Sequence, residues 1–386
     1  MPNTHFFESI INHIRSIISG RYRSFFGEKI LYAFSLAYTA GLAIRAFLYR
    51  KNILTSCRLP CFVISVGNIT AGGTGKTPMT IYLAKLLRSM GYCTVILSRG
   101  YRGKYMKKGG IVSDGNSVLT EPDDSGDEPY MMALALGNVP VLVGRNRCKS
   151  AGLAMQMFHP DIILLDDGFQ HMKLKRNLDL VLLDCQKPLG NGHVLPRGML
   201  REPVSALKRG HCFILTRCES DSPGRNTVLS DICGRMPVFR TCHIPYIHHI
   251  TDEHGQKLSP PDGQEKWEIS VLKNRRVFAF SGIARNDLFV RTVENLGCTV
   301  AGSMAFPDHH PYSAADMQEI RRLAGEKNAE LMVTTEKDSV RIPRVPLSAD
   351  MEFSAGMAVI GIEISFGDEA NAFAAFIRER VIPIRH

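Results

Sequence analysis

The 10 cysteines include no C-x-x-C pair, and the closest two are Cys57 and Cys61. That spacing offers no zinc ribbon and no disulfide framework, so reduced thiols of a cytoplasmic protein are expected. The N-terminal apolar run also stops short of bilayer length. Ile30 to Ile44 gives 15 residues before Arg45, against the roughly 20 that a spanning helix needs. A cleavable leader is not expected either, because its charge would precede the run and a small-residue site would follow, whereas bases and aromatics flank both ends. Internal repeats and low-complexity tracts are missing. No aromatic–basic RNA motif accompanies the pI of about 9.1, so a nucleic-acid partner is not expected. A guanine-recognition string of the N/T-K-x-D type is lacking as well: the nearest candidate, "TEKD" at Thr335, places its lysine one position late.

What is present is a chain of 386 residues, 45% hydrophobic and 22% charged, long enough for two domains with separate cores. Its net charge of +10 points to an anionic partner. Residues 1–51 hold seven Lys/Arg against Glu8 and Glu28, which is half of that excess. The same segment contains the apolar run, with Tyr32, Tyr38, Phe47 and Tyr49 around it. Bases and aromatics beside an apolar helix suit an amphipathic or shallowly inserted membrane-surface helix. Packing on its own domain is the alternative.

From Cys61 onward the pattern alternates between β-branched apolar runs and helical stretches. "CFVISVGN", "CTVILSRG", "VPVLVG", "DIILLDD", "LDLVLLD" and "HCFILT" read as buried strands, which predicts an α/β fold with a mainly parallel sheet covered on both faces. Around residues 221–270 the texture turns to Pro, Gly, Ser, Asp and His, suggesting a linker with a surface histidine cluster (His243, His248, His249, His254). A second, smaller βα series follows. The expected organisation is therefore a membrane-associated helix region (1–51), a first α/β domain (52–220), a linker (221–270), and a second α/β domain ending in a closing helix (271–386).

"SVGNITAGGTGKTPMTIYL" lies between the first strand and the first amphipathic helix of that series. Gly72, Gly73, Thr74 and Gly75 free the backbone to wrap phosphate oxygens at a helix N-terminus. Lys76 then reaches the β/γ-phosphates and Thr77 a magnesium ion, as in a P-loop NTPase-like fold. Thr70 occupies the place where the common P-loop pattern has its first glycine. Phosphoryl transfer needs a second metal anchor. "DIILLDDGFQH" supplies Asp166 and Asp167 at the carboxyl end of a strand, with Asp184 of "LDLVLLDC" as a rival.

With "VGNITAGGTGKTP", "LSRGY", "GDEP", "LDDGFQH", "LPRGMLREP", "FPDHHPY" and "TTEKD" in this order, the chain resembles the tetraacyldisaccharide 4'-kinases of lipid A biosynthesis. The resemblance implies two α/β/α domains and a monotopic helix on the cytoplasmic face of the bacterial inner membrane. It implies ATP and Mg²⁺ as cofactors and an acylated disaccharide 1-phosphate as acceptor, phosphorylated at its 4'-hydroxyl to give lipid IVA. Lys76 and Thr77 match the phosphate and metal contacts, Asp166 and Asp167 the metal acids, and Glu202 of "LREP" a further acid near them. Asp127 of "GDEP" matches the base for the 4'-hydroxyl, paired with a histidine of "PDHH", taken as His309 over His310. Tyr101, Arg147, Gln170 and His171 fit contacts to acceptor or nucleotide. Each has a plainer competitor: Asp127 as a helix cap, the histidines as turn residues, Glu202 as a first-turn acid, and "TEKD" as a capped turn without catalytic role. The rival function is a P-loop GTPase or metal-insertion switch.

Overall fold

The computed structural model describes residues 24–218, 234, 236–261, 264, 266–343 and 355–381. Of the N-terminal charges, Glu8, Arg15, Arg21 and Arg23 lie outside the described residues.

Helix α1 spans Phe25–Arg50 and is N-capped by Ser24, whose hydroxyl accepts the Gly27 N–H. It runs through Lys29 and Arg45 because long charged side chains are good helix formers, so the helix far exceeds the apolar run. Its 26 residues reach about 39 Å at about 1.5 Å per residue. By length and composition it could cross a membrane, and only 11% of its most apolar window is buried. One stripe at helical spacing does dock. Ser35 donates to the Val194 carbonyl at 2.7 Å and Tyr38 to that of Arg201 at 3.2 Å, while Leu42 packs against the apolar cluster that contains Phe169 and Leu200. Phe25, Phe26, Phe34, Leu36 and Ile44 remain exposed.

The first sheet has eight strands: β1 (Phe62–Asn68), β2 (Thr94–Ser98), β3 (Gly110–Ser113), β4 (Val141–Val143), β5 (Ile162–Asp166), β6 (Leu178–Asp184), β7 (Cys212–Thr216) and β8 (Val238–Arg240). They are ordered β3-β4-β2-β5-β1-β6-β7-β8 and are parallel except for β3 against β4. Helix α2 (Lys76–Ser89) buries Met79, Leu83 and Leu87 on one face, together with α3 (Asp127–Ala135); α4 (Arg147–Phe158) buries Ala151 and Ala154 on the other.

The second sheet is ordered β11-β10-β12-β13-β9. Its strands are β9 (Cys242–Thr251), β10 (Arg276–Ser281), β11 (Thr299–Ala305), β12 (Leu331–Thr335) and β13 (Met357–Ser365), with β9 antiparallel to β13. Helices α5 (Asn286–Asn295) and α6 (Ala314–Glu326) cover its two faces through Phe289 and Val293, and through Met317 and Ile320.

Three expectations change. The stretch read as a linker supplies the edge strand of each sheet, β8 and β9, and β9 half-buries His243, His248 and His249. The closing helix, α7 (Ala370–Arg380), crosses back to the first sheet, where Phe373, Phe376 and Ile377 meet Phe239 and Tyr82. The thiols are not all reduced: Cys57 is bonded to Cys148, and Cys185 to Cys218, pairs 91 and 33 residues apart that the fold brings together.

Candidate active site

The loop after β1 turns at Gly72 (φ 115°) and Gly75 (φ 80°), left-handed positions that favour glycine. Thr70 needs no such freedom: it is held by a β-bridge to Leu200, and the next N–H bonds the Met199 carbonyl at 2.6 Å. Gly75 caps α2 without a side-chain partner, leaving the first-turn N–H groups to a ligand. A Cβ on Gly72 or Gly73 would meet nothing nearer than 3.9 Å, so the loop faces open space. Thr74 accepts the Asn68 side-chain amide at 2.7 Å, and Lys76 Nζ lies 3.4 Å from Asn68 Oδ1 and 3.5 Å from Asp167. Thr77 lines the cleft beside Lys76.

Asp166 ends β5 buried, accepting from Thr80 Oγ1 at 3.3 Å and Ser98 Oγ at 3.0 Å. Burial pushes its carboxyl well above the ordinary range, with Glu128 and Asp167 adding to the shift. Burial would raise Asp167 as well, but Lys76 and Arg201 hold it below its usual value, Arg201 at 2.8 Å. Two adjacent acids are thus pushed apart by their surroundings. Glu202 is held by Arg209 at 2.7 Å, and Gln170 donates to it at 3.4 Å. Asp184 is tied to Arg217 and Arg285. Among the described residues no three acidic, histidine or cysteine side chains converge on a metal position. Magnesium takes one or two carboxylates and completes its shell with phosphate oxygens and water. Asp166, Asp167 and Thr77 are the residues that would hold it.

Asp127 is the first residue of α3 and its carboxylate caps nothing, since the N-cap is Gly126. It reaches instead across to the second sheet's loops. His309 Nδ1 lies 2.8 Å from Asp127 Oδ2, and Arg341 Nε lies 3.2 Å from the same oxygen. His310 turns away to Asp316 at 3.1 Å. Tyr101 packs edge-on to His309 at 5.8 Å between centroids, and Arg102 donates to the His309 carbonyl at 3.0 Å. Sequence reasoning passed over Asn68, Arg102, Arg201, Lys337 and Arg341. Lys337 had the clearest sign, because a lysine inside a capped turn points outward from a rigid base. With Lys337 and Asp338 engaged by His309 and Arg341, "TEKD" offers nothing for guanine, and the switch reading loses its one candidate string.

Gln170 donates to the Asn68 carbonyl at 2.7 Å, and its own carbonyl accepts from Arg45 of α1. Arg147 is buried with no partner on Nε among the described residues; burial brings its guanidinium down to about 10, opposed by Asp166. His171 is held at about 4 by burial and then by Arg147 and neighbouring cations, and burial also holds His243 and His249 at about 4. Unfolded histidine titrates near 6.5, so the unfolded chain takes up protons first as pH falls. Stability is expected to be intact above about pH 6.5 and to decline toward pH 4, at no more than about 1.4 kcal/mol per pH unit for each histidine. Denaturant melts at pH 7 and 5 check this, and His243→Asn, which cannot charge, should decline less.

A single cleft of about 3320 Å³ joins these groups, from Tyr38 and Arg45 of α1, past Lys76 and Asp166, to His309 and Lys337. A glycine cradle at a helix N-terminus, opening onto strand-end acids, belongs to phosphotransferases of the P-loop class. Residues 28–382 match the family of tetraacyldisaccharide-1-P 4'-kinases, LpxK, and the chain belongs to it. It is 42% identical over 323 residues to the tetraacyldisaccharide 4'-kinase of Syntrophus aciditrophicus, covering 81% of this chain and 84% of that one. Over 353 residues it is 38% identical to that of Desulfatibacillum aliphaticivorans, covering 91% and 92%. The crystal structure of LpxK from Aquifex aeolicus in complex with ATP superposes with a TM-score of 0.69 at 30% identity, over 92% of this chain and 99% of that one. The chain is thus a kinase of lipid A biosynthesis that phosphorylates the 4'-position of a tetraacyldisaccharide 1-phosphate.

Proposed function

We propose that Asp127 takes the proton from the acceptor's 4'-hydroxyl while the cradle of Gly72 to Thr77 holds the ATP phosphates. The observation that carries this reading is the 2.8 Å contact of Asp127 with His309, a residue that lines the same cleft as the phosphate loop. A sugar hydroxyl is a weak nucleophile, so a carboxylate oriented by an imidazole raises its reactivity as it attacks. The new bond joins the 4'-oxygen to the γ-phosphorus, the bond to the β-phosphate oxygen breaks, and ADP leaves with that electron pair. Lys76 offsets charge on the transferring group. Asp166, Asp167 and Thr77 would hold a magnesium ion, which would offset the charge on the phosphates. Tyr101, Arg147, Gln170 and His171 orient the acceptor. Glu202 acts through Gln170 and Arg209, not as a metal ligand.

The acceptor's acyl chains reach the cleft along α1, whose exposed Phe34, Leu36 and Ile44 face outward while Tyr38, Leu42 and Arg45 line the cleft. This supports a peripheral position on the cytoplasmic face of the inner membrane, where ATP is present. The test is 4'-phosphorylated product from Mg²⁺-ATP and tetraacyldisaccharide 1-phosphate, presented in vesicles or in detergent. Phe34→Glu with Ile44→Glu should cut the vesicle rate about 10-fold or more, since charges oppose interfacial burial. The detergent rate should stay within twofold. Equal losses in both would refute a membrane role for this face.

A further inference from the structure

Lys337 has no role in the reading above, yet it is held as firmly as any group in the site. Thr335 caps the short helix Glu336–Ser339, accepting the Asp338 N–H at 3.1 Å. Asp338 is fully buried and accepts from Gly282 N at 2.9 Å, Tyr312 Oη at 3.0 Å and Arg341 at 2.9 Å. The lysine therefore projects from a locked turn. Its ammonium meets three acceptors: His309 Nε2 at 3.2 Å, Glu128 Oε1 at 3.5 Å and Asp308 Oδ1 at 3.6 Å.

An ammonium carries three N–H donors and no lone pair. A contact from it to Nε2 requires that this ring nitrogen be unprotonated. The ring proton then sits on Nδ1, 2.8 Å from Asp127 Oδ2. We propose that Lys337 is a positioning residue that fixes His309 as the neutral tautomer donating from Nδ1 to Asp127. The inference rests on Asp127 being the base. Its consequence is that His309 and Arg341 together occupy Asp127 Oδ2, which leaves Oδ1 for the acceptor's hydroxyl. A proton on Nε2 instead would leave Nδ1 with no hydrogen to donate and would set an N–H against the ammonium's own donors. His309 itself cannot swing away: it sits at φ 62°, with its N–H bonded to the Gly282 carbonyl at 3.1 Å. The other charged or titratable groups around the ring are Glu128 and Asp308 on the acidic side, and Tyr101, Arg102 and Arg341.

The test uses the full-length chain in detergent with Mg²⁺-ATP and the lipid acceptor, comparing wild type, Lys337→Met, Lys337→Arg and Asp127→Asn. Lys337→Met should lower kcat about 10²-fold, the scale of one misaligned acid–base group, with both KM values within twofold and an unchanged Tm. Lys337→Arg, which keeps charge and donors, should recover most of the rate. Nitrogen-15 shifts of the His309 ring should show the Nδ1–H form in wild type and a mixture in Lys337→Met. Wild-type kcat in Lys337→Met overturns the proposal. So does a loss that tracks Tm or KM with an unchanged ring tautomer. An active Asp127→Asn would instead overturn the base assignment beneath it.

Discussion

Asp127→Asn is expected to lower kcat by about 10³-fold, within the range of about 10² to 10⁴ that a positioned general base supplies. Asparagine keeps the size and can still accept from His309 through its carbonyl, so the fold and the KM for ATP should hold. What it loses is the lone pair that takes the hydroxyl proton. His309→Ala removes only the orienting partner and should cost less, about 10- to 10²-fold, because Arg341 still holds the carboxylate from 3.2 Å. The double variant should be no slower than Asp127→Asn alone, since groups acting as a unit are not additive. Full additivity in steady-state kcat would mean that the two act separately, and the 2.8 Å contact would then be structural only.

Lys76→Met is the other large effect, a fall in kcat/KM of about 10³-fold, or roughly 4 kcal/mol of transition-state stabilisation. Methionine matches the lysine's length and leaves the apolar stem packed. The lost charge is the one aimed between Asn68 and Asp167, at 3.4 and 3.5 Å. Asp167 keeps Arg201 at 2.8 Å, so no isolated carboxylate is created and Tm should move by only a few degrees. If Lys76→Met turned over within tenfold of wild type, the cradle would not be the site of phosphoryl transfer.

Much of this site could be read from short strings whose chemistry is local. A glycine-rich loop between a buried strand and a helix has one dominant use, and paired acids at a strand's carboxyl end point to a ligand whatever the rest of the sheet does. Residues that act through distant partners were not legible. Arg201 and Arg209 lie on either side of "EP" and look like ordinary surface bases until the fold sets them against Asp167 and Glu202. "TEKD" was legible as a capped turn, and Thr335 does cap it, but nothing local says that the lysine faces a histidine 28 residues earlier. The length of α1 was underread because charge interrupts hydropathy without interrupting a helix. The pattern of α7 announced an apolar face but not which sheet would bury it, and cysteine pairs 91 and 33 residues apart carry no spacing rule.

The chain passes between its two sheets twice, once from β8 into β9 and once from β13 into α7. The crossings lie side by side: β9 and β13 pair from Cys242–Ser365 to Thr251–Met357, and Arg240 N–H bonds the Glu369 carboxylate at 2.8 Å. A lone tether would act as a swivel. Two adjacent crossings, tied to each other by the Arg240–Glu369 bond, oppose that rotation. With two adjacent crossings fixing the second sheet against the first, the placement of His309 beside Asp127 does not depend on either crossing alone.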